Sequence, residues 1–356
     1  MKEGQGDASL VDALKAFSLW GRVTSLSLNR NGRVNDTYVV GTEAGRFILQ
    51  KVNRFVFPRP EMNMANIVGV SSFLREAAAK RGGDPKRETL QVVPTKAGSS
   101  YFEAPDGGFF RCFSYIEGAL VHPSTREPSL LYEAGRLLGR FEKDLSRYPL
   151  GELYETIPSF HDTEKRYGAF LEAVASNPLG RAASCREEIE SCVDSRALSE
   201  PIAGLPVRVT HNDPKLTNVM FDAESGKALA LIDLDTVMPG YSVFDFGDAV
   251  RYDCSSGDED GDPRGVSFLL GSYEAFLRGY LSLAKGFLTP LEKANLSRGA
   301  LQMSYECGLR FLTDYLLGDV YFKTKRPGDN LARARSQIGL LASMREKKAQ
   351  MDSLVR

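Results

Sequence analysis

The segment Thr210–Asn218 reads T-H-N-D-P-K-L-T-N, and Asp233 ends an apolar run, Ala228–Ile232, fifteen residues after Asn218. The spacing is H-x-D-x-x-x-x-N followed by an acid. Pro206–Thr210 has the composition of a short strand running into a loop, with Asp213 on that loop. Pro214 removes a backbone donor and stiffens the turn. Asn218–Asp222 and Ala228–Ile232 then read as two strands joined by a turn at Gly226. A hairpin of that length would bring Asn218 and Asp233 to one end. Transfer of a nucleotide's terminal phosphoryl group needs three such parts: a carboxylate to take the hydroxyl proton, an amide oxygen and a second carboxylate for metal. Two converging oxygens suit Mg²⁺, which takes few protein ligands beside substrate phosphates.

Composition narrows the alternatives. At 356 residues the chain exceeds one small core and predicts two lobes. A net charge of −1, with Lys and Arg spread along the chain, favours neither nucleic acid nor an anionic membrane as partner. The five cysteines, Cys112, Cys185, Cys192, Cys254 and Cys307, are scattered without a C-x-x-C, as expected of reduced thiols in the cytoplasm. With three histidines and no Cys/His cluster, a zinc site is not expected. The polar opening Met1–Asp7 predicts no signal peptide, and no apolar run approaches the ~20 residues of a spanning helix.

The region up to Ile116 reads as strand-rich. A helix is expected over Leu10–Trp20, with the single tryptophan, Trp20, in a core. Strands are expected at Val34–Val40, Arg46–Val52, Leu90–Val93, Ser100–Glu103 and Phe109–Ile116, and an inner helix at Glu61–Lys80. The loop Asn31–Thr37 offers backbone N–H groups and the Asn35 and Thr37 side chains to phosphate, although an ordinary turn is the simpler reading. After Glu117–Gly118 apolar residues recur at helical spacing from Leu130 to Leu145. Further helices are expected near 165–175, 186–194, 271–283, 290–317 and 330–351. The expectation is an α+β fold of two lobes, 1–116 and 117–356, with a ligand-binding cleft between them.

These residues resemble the aminoglycoside phosphotransferase and choline kinase superfamily, a small-molecule branch of the protein-kinase-like fold. Other stretches are similar to the bacterial N-acetylhexosamine 1-kinases within it: Phe160–Thr163, Arg208–Asp213, Ile232–Thr236, Phe244–Asp248, Glu306–Leu312 and Gly318–Phe322. The similarity runs from about Gly21 to about Met344. It implies a cytoplasmic enzyme using ATP and Mg²⁺ to phosphorylate the anomeric hydroxyl of N-acetylglucosamine or N-acetylgalactosamine. It implies Asp213 as base, Asn218 and Asp233 as metal ligands, and Tyr115 and Ile116 as the hinge that receives adenine. Asn35, Thr37 and Gln50 fall on the nucleotide side, and Arg33, Asp235, Arg310 and Tyr321 on the sugar side. Its partners would be a sugar and a nucleotide, without nucleic acid or membrane, in a monomer or a dimer.

The chain departs from the pattern at Gln50, where protein kinases place a lysine, and at Arg33, where the look-alike carries histidine. Lys51 would point to the opposite face of the strand. The same frame also suits another small alcohol (homoserine, choline, an aminoglycoside, another sugar), and Gln50 invites a silent nucleotide binder. His211 and the acids of Asp245-Phe246-Gly247-Asp248 are expected to stabilise loops, with Arg251 pairing one of the acids. Helical spacing alone would let Arg310 pair with Asp314.

Overall fold

The computed structural model describes residues 8–29 and 34–355. In chain order they form α1 (Ala8–Ala16), β1 (Val23–Asn29), β2 (Asp36–Thr42), β3 (Gly45–Lys51), α2 (Pro60–Lys80), α3 (Pro85–Glu88), β4 (Phe102–Glu103), β5 (Phe109–Ser114) and β6 (Ala119–Leu120). There follow α4 (Pro128–Leu145), α5 (Thr163–Ser176), α6 (Arg186–Asp194), β7 (Arg208–Thr210), β8 (Val219–Asp222), β9 (Ala228–Leu231), β10 (Met238–Gly240), α7 (Ser242–Asp253), α8 (Leu270–Ala284), α9 (Pro290–Leu317) and α10 (Asp329–Val355). Two compact units result: residues 1–119, 147–157 and 229–238, and residues 120–146, 158–228 and 239–356. The fold is α+β, with an antiparallel sheet in the first unit and mainly helices in the second. Among the described residues no helix is long and apolar enough to cross a membrane.

The sheet of the first unit has the order β1-β2-β3-β5-β4. Period-two alternation sends Phe47 and Leu49 of β3 into a core with Phe17, Val40, Phe110 and Cys112. It sends Gln50 to the other face, directly opposite Thr37 on β2 and Arg111 on β5. That register creates a polar row across three strands.

Several expectations are corrected here. Trp20 is not in a core: it is 66% exposed and touches Phe47 only edge-on, at 5.9 Å, because the helix before it stops at Ala16. The strand expected at Leu90–Val93 is a single bridge, Val92 to Phe113, since Pro94 has no N–H to extend the pairing. Five elements went unpredicted: the exposed strand β1, the short α3, β6 and β10, and the helix α7.

In the second unit α7 lies backbone-close on α9. A Cβ at Gly247 would come 2.5 Å from the Gly299 carbonyl carbon, and one at Gly299 would come 2.6 Å from Val243 Cγ1. Only hydrogen at these two positions allows that approach, which fixes where the acids of α7 stand. Thr289 starts α9 with a capping box to Glu292, after which Pro290 opens the helix. Gly299→Ala should therefore lower stability by about 1–3 kcal/mol through overpacking, read as a lower thermal midpoint with native-like circular dichroism. An unchanged midpoint would contradict the close crossing.

Candidate active site

The loop carrying Asp213 is built by hydrogen bonds to its backbone. Asp245, on the first turn of α7 and fully buried, accepts from His211 N at 2.7 Å and Asn212 N at 2.6 Å. Asn212 has φ 63°, a left-handed conformation that a non-glycine residue adopts only when its surroundings hold it there. Thr210 Oγ1 donates to Asn212 Oδ1 at 3.0 Å, and His211 Nδ1 accepts from Asp213 N at 3.3 Å. Past the loop, Asp253 accepts from Leu216 N at 2.9 Å. His211 thus serves the loop, as do Asp245 and Asp253 of α7. Asp248 pairs with Arg251 at 2.8 Å, and Arg251 also reaches Glu259 at 3.0 Å.

Asp213 itself is half-buried and faces two donors. Lys215 Nζ lies 2.8 Å from its Oδ2, and Asn218 Nδ2 donates to that same oxygen at 3.1 Å and to the Asp213 carbonyl at 2.8 Å. Burial works against the Lys215 charge, but Asp213, Glu259 and Asp248 outweigh it and hold the ammonium protonated. Among the described residues Asp213 Oδ1 and Asn218 Oδ1 accept no hydrogen bond. One carboxylate oxygen and one amide oxygen are thus left uncommitted, while Asp213 Oδ2 and Asn218 Nδ2 are engaged. Lys215 was not singled out in the sequence, although it lies only two residues past Asp213.

The neighbouring strap comes from the residues before α5. Asp162 caps that helix, accepting from Lys165 N at 3.1 Å. His161 does more than precede the helix. Its Nδ1 lies 2.8 Å from Glu306 Oε1 on α9, and its Nε2 lies 3.2 Å from the carbonyl of Asn212. Burial alone would lower the His161 pKa, but Glu306 reverses this and raises it. Arg310, one turn along α9, does not pair with Asp314. That carboxylate accepts the backbone N–H groups of Val320, Tyr321 and Phe322 at 2.8–2.9 Å and folds the turn that presents Tyr321 and Phe322. The Arg310 guanidinium lies over the rings of Phe160 at 5.2 Å and Phe322 at 5.5 Å. Tyr321 is 48% exposed and packs edge-on against Phe322.

In the first unit the predicted residues Asn35, Thr37, Gln50 and Asp235 are joined through one that was missed, Arg111. Gln50 Nε2 donates to Thr37 Oγ1 at 3.0 Å, and Gln50 Oε1 accepts from Arg111 Nε at 2.9 Å. Arg111 forms a bidentate pair with Asp235, with Nη2 at 2.8 Å from Oδ2, and Asn35 Nδ2 donates to that oxygen at 2.8 Å. Asp235 is 3% exposed. Burial opposes the Arg111 charge, but Asp235, with Asp233 behind it, prevails and raises its pKa. Asn63 and Asn66 of α2 donate to the carbonyls of Asp235 at 2.7 Å and Val237 at 2.9 Å, which pins the segment carrying Asp233. Asp233 is exposed, with φ 62°. A lone arginine inside Phe109–Phe113 was the available signal for Arg111, since a buried charge requires a partner.

At the end of β5, Tyr115 N bonds Arg46 O at 3.1 Å, and the Arg46 guanidinium lies 3.9 Å over the Tyr115 ring. Ile116 is buried, and among the described residues its backbone makes no hydrogen bond. Arg33, with Asn31 and Gly32 of the expected phosphate loop, lies outside the described residues.

A family model, the phosphotransferase enzyme family, matches residues 25–284, well over half of the chain. The chain belongs to that family. Its fold is similar to an aminoglycoside phosphotransferase from Alicyclobacillus acidocaldarius, with a TM-score of 0.62 at 14% identity over 98% of each chain. It is also similar to a choline kinase from Cryptosporidium parvum, with a TM-score of 0.58 at 14% identity over 98% of each chain. A spectinomycin phosphotransferase solved with ADP and spectinomycin gives 0.58 at 12% identity, over 97% of this chain and all (100%) of that one. At such identities the likeness is one of fold.

Asp245 provides a test that is independent of substrate. Burial, only partly offset by the two backbone N–H groups, raises its pKa to about 7. A folded-state value above the unfolded one gives a contribution that is complete below about pH 4 and lost as pH rises through about 7. The stability difference between wild type and Asp245→Asn should therefore change across that window and level off above it. Near pH 8 the variant, whose amide nitrogen opposes a backbone N–H, should lose about 1–3 kcal/mol. A difference independent of pH would contradict this environment.

Proposed function

We propose that this phosphotransferase moves the γ-phosphoryl group of ATP to the anomeric hydroxyl of an N-acetylhexosamine, giving the sugar 1-phosphate. One observation carries the catalytic part: Asp213 is held by Lys215 and Asn218 through one oxygen while its other oxygen is uncommitted. That oxygen accepts the acceptor's hydroxyl proton. The acceptor oxygen bonds to the γ-phosphorus as the bond from phosphorus to the β–γ bridging oxygen breaks, and ADP leaves. Lys215 holds the carboxylate in place and offsets its charge.

The donor set fits Mg²⁺. Committing Asn218 Nδ2 to Asp213 leaves its amide oxygen for a cation, and the resemblance implies Asp233 as a second, carboxylate ligand. Bound there, Mg²⁺ would neutralise charge on the phosphates. On the nucleotide side, the uncommitted backbone of Ile116 suits a base edge. Thr37 and Gln50 offer polar groups to the phosphates, Arg111 beside them takes the place of a cation, and Asn35 joins the same network at Asp235. A nucleotide donor is also supported by the ADP held in the related spectinomycin phosphotransferase structure. The sugar assignment rests on the likeness of Glu306–Leu312 and Gly318–Phe322 to the hexosamine kinases. It has support from the stacked Arg310 and the turn that presents Tyr321.

ADP release should be measured over a panel of N-acetylglucosamine, N-acetylgalactosamine, choline, homoserine and an aminoglycoside. The N-acetylhexosamines should lead by kcat/KM, and Asp213→Asn should lower kcat by about 10²-fold or more with ATP affinity retained. A variant with near-normal turnover would refute the role of Asp213, and preferred turnover of choline or an aminoglycoside would refute the sugar.

A further inference from the structure

Both ring nitrogens of His161 face acceptors. Nδ1 lies 2.8 Å from Glu306 Oε1, and Nε2 lies 3.2 Å from the carbonyl oxygen of Asn212. The other Glu306 oxygen accepts from Thr163 Oγ1 at 2.7 Å, and that hydroxyl in turn accepts from Gln302 Nε2 at 3.1 Å. Each oxygen of Glu306 thus meets a donor. Burial works against its charge, but His161, Thr163 and Arg310 outweigh burial and lower its pKa. A neutral imidazole donates from one nitrogen and accepts at the other, so here it would turn a lone pair toward a carboxylate or a carbonyl. Only the imidazolium donates to both.

The ring is largely buried, its side chain 12% exposed, with Phe160 and Phe244 packed against it. The other charged groups that face it are Asp245 and Asp248 of α7, which favour its charge, and Arg310 of α9, which opposes it. Asp162, next in the chain, is spent on the cap of α5. The carbonyl that His161 holds belongs to the peptide joining Asn212 to Asp213. On the other side of Asn212, its N–H is held by Asp245 at 2.6 Å. The left-handed residue before Asp213 is therefore gripped at both of its peptides, from α7 and, through His161, from α9.

We propose that His161 is a positioning residue that fixes the Asn212–Asp213 peptide plane as an imidazolium, and that losing its proton frees that plane and slows phosphoryl transfer on the alkaline side. The effect on turnover rests on the reading of Asp213 as the base. A folded-state value above the ordinary one of about 6.5 keeps the brace complete at lower pH and removes it as pH rises through the folded value.

The chain has three histidines, so His161 can be assigned in the proton–nitrogen imidazole spectrum of the whole protein by its absence in His161→Gln. In wild type its ring should titrate with a midpoint above about 6.5. Glu306→Gln gives Nδ1 an amide donor and leaves Nε2–H for the Asn212 carbonyl, so the neutral ring suffices and the midpoint should fall. Hydrogen exchange of residues 208–218, corrected for the intrinsic effect of pH, should quicken through the wild-type midpoint and not do so in Glu306→Gln. With the best acceptor, kcat should fall through the same midpoint in wild type and lose that alkaline fall in Glu306→Gln. Below the midpoint, His161→Gln should lower kcat about tenfold or more with KM little changed. A His161 midpoint at or below the ordinary value, or loop exchange indifferent to its titration, would overturn the proposal. The expected titration and exchange without phosphorylation of any acceptor by wild type would instead overturn the kinase reading and leave the brace standing.

Discussion

The catalytic loop hangs on the Asp245 carboxylate. By accepting two consecutive backbone N–H groups, His211 and Asn212, it holds Asn212 in a left-handed conformation and so sets the direction in which Asp213 leaves the turn. The carboxylate is costly to bury. Beneath it Glu142, bonded to Tyr280 at 2.6 Å, is pushed well up in pKa by burial and by Asp245 itself. The helix α7 keeps Asp245 in place because Gly247 and Gly299 let it sit against α9 without side chains between. From packing to loop geometry to a poised oxygen on Asp213, each step depends on the one before.

The first unit uses the same economy with a different partner. Register alone aligns Thr37, Gln50 and Arg111, and Arg111 closes the row on Asp235. A buried bidentate pair of this kind gives a specific geometry more than net stability, since desolvation of both ions offsets much of their attraction. What it specifies here is the path of the segment from Asp233 to Val237, which Asn63 and Asn66 hold from the other side. Asp235 therefore shapes the segment that presents Asp233, with both of its own carboxylate oxygens engaged.

Much of this was legible in the sequence where a pattern is local. Helices α2, α4, α5, α6, α8, α9 and α10 follow apolar spacing, and the loop follows the motif around Asp213. Helix α7 was not legible, because every residue from Val243 to Arg251 is buried, acids included, so no amphipathic stripe marks it. The partners of Asp245 and Asp253 are backbone amides over thirty residues away, which no local pattern reveals. Arg111 required the strand register, and Arg310 required knowing that Asp314 is spent on the 320–322 turn. His161 read as a helix start because its second role lies across the fold, at Glu306.

The most direct measurement of the central claim is phosphorus NMR of the product formed from ATP, Mg²⁺ and N-acetylglucosamine, with coupling to the sugar protons resolved. The account predicts a phosphomonoester signal coupled to the anomeric proton. A phosphoryl group on another hydroxyl, or only ADP and inorganic phosphate, would contradict it.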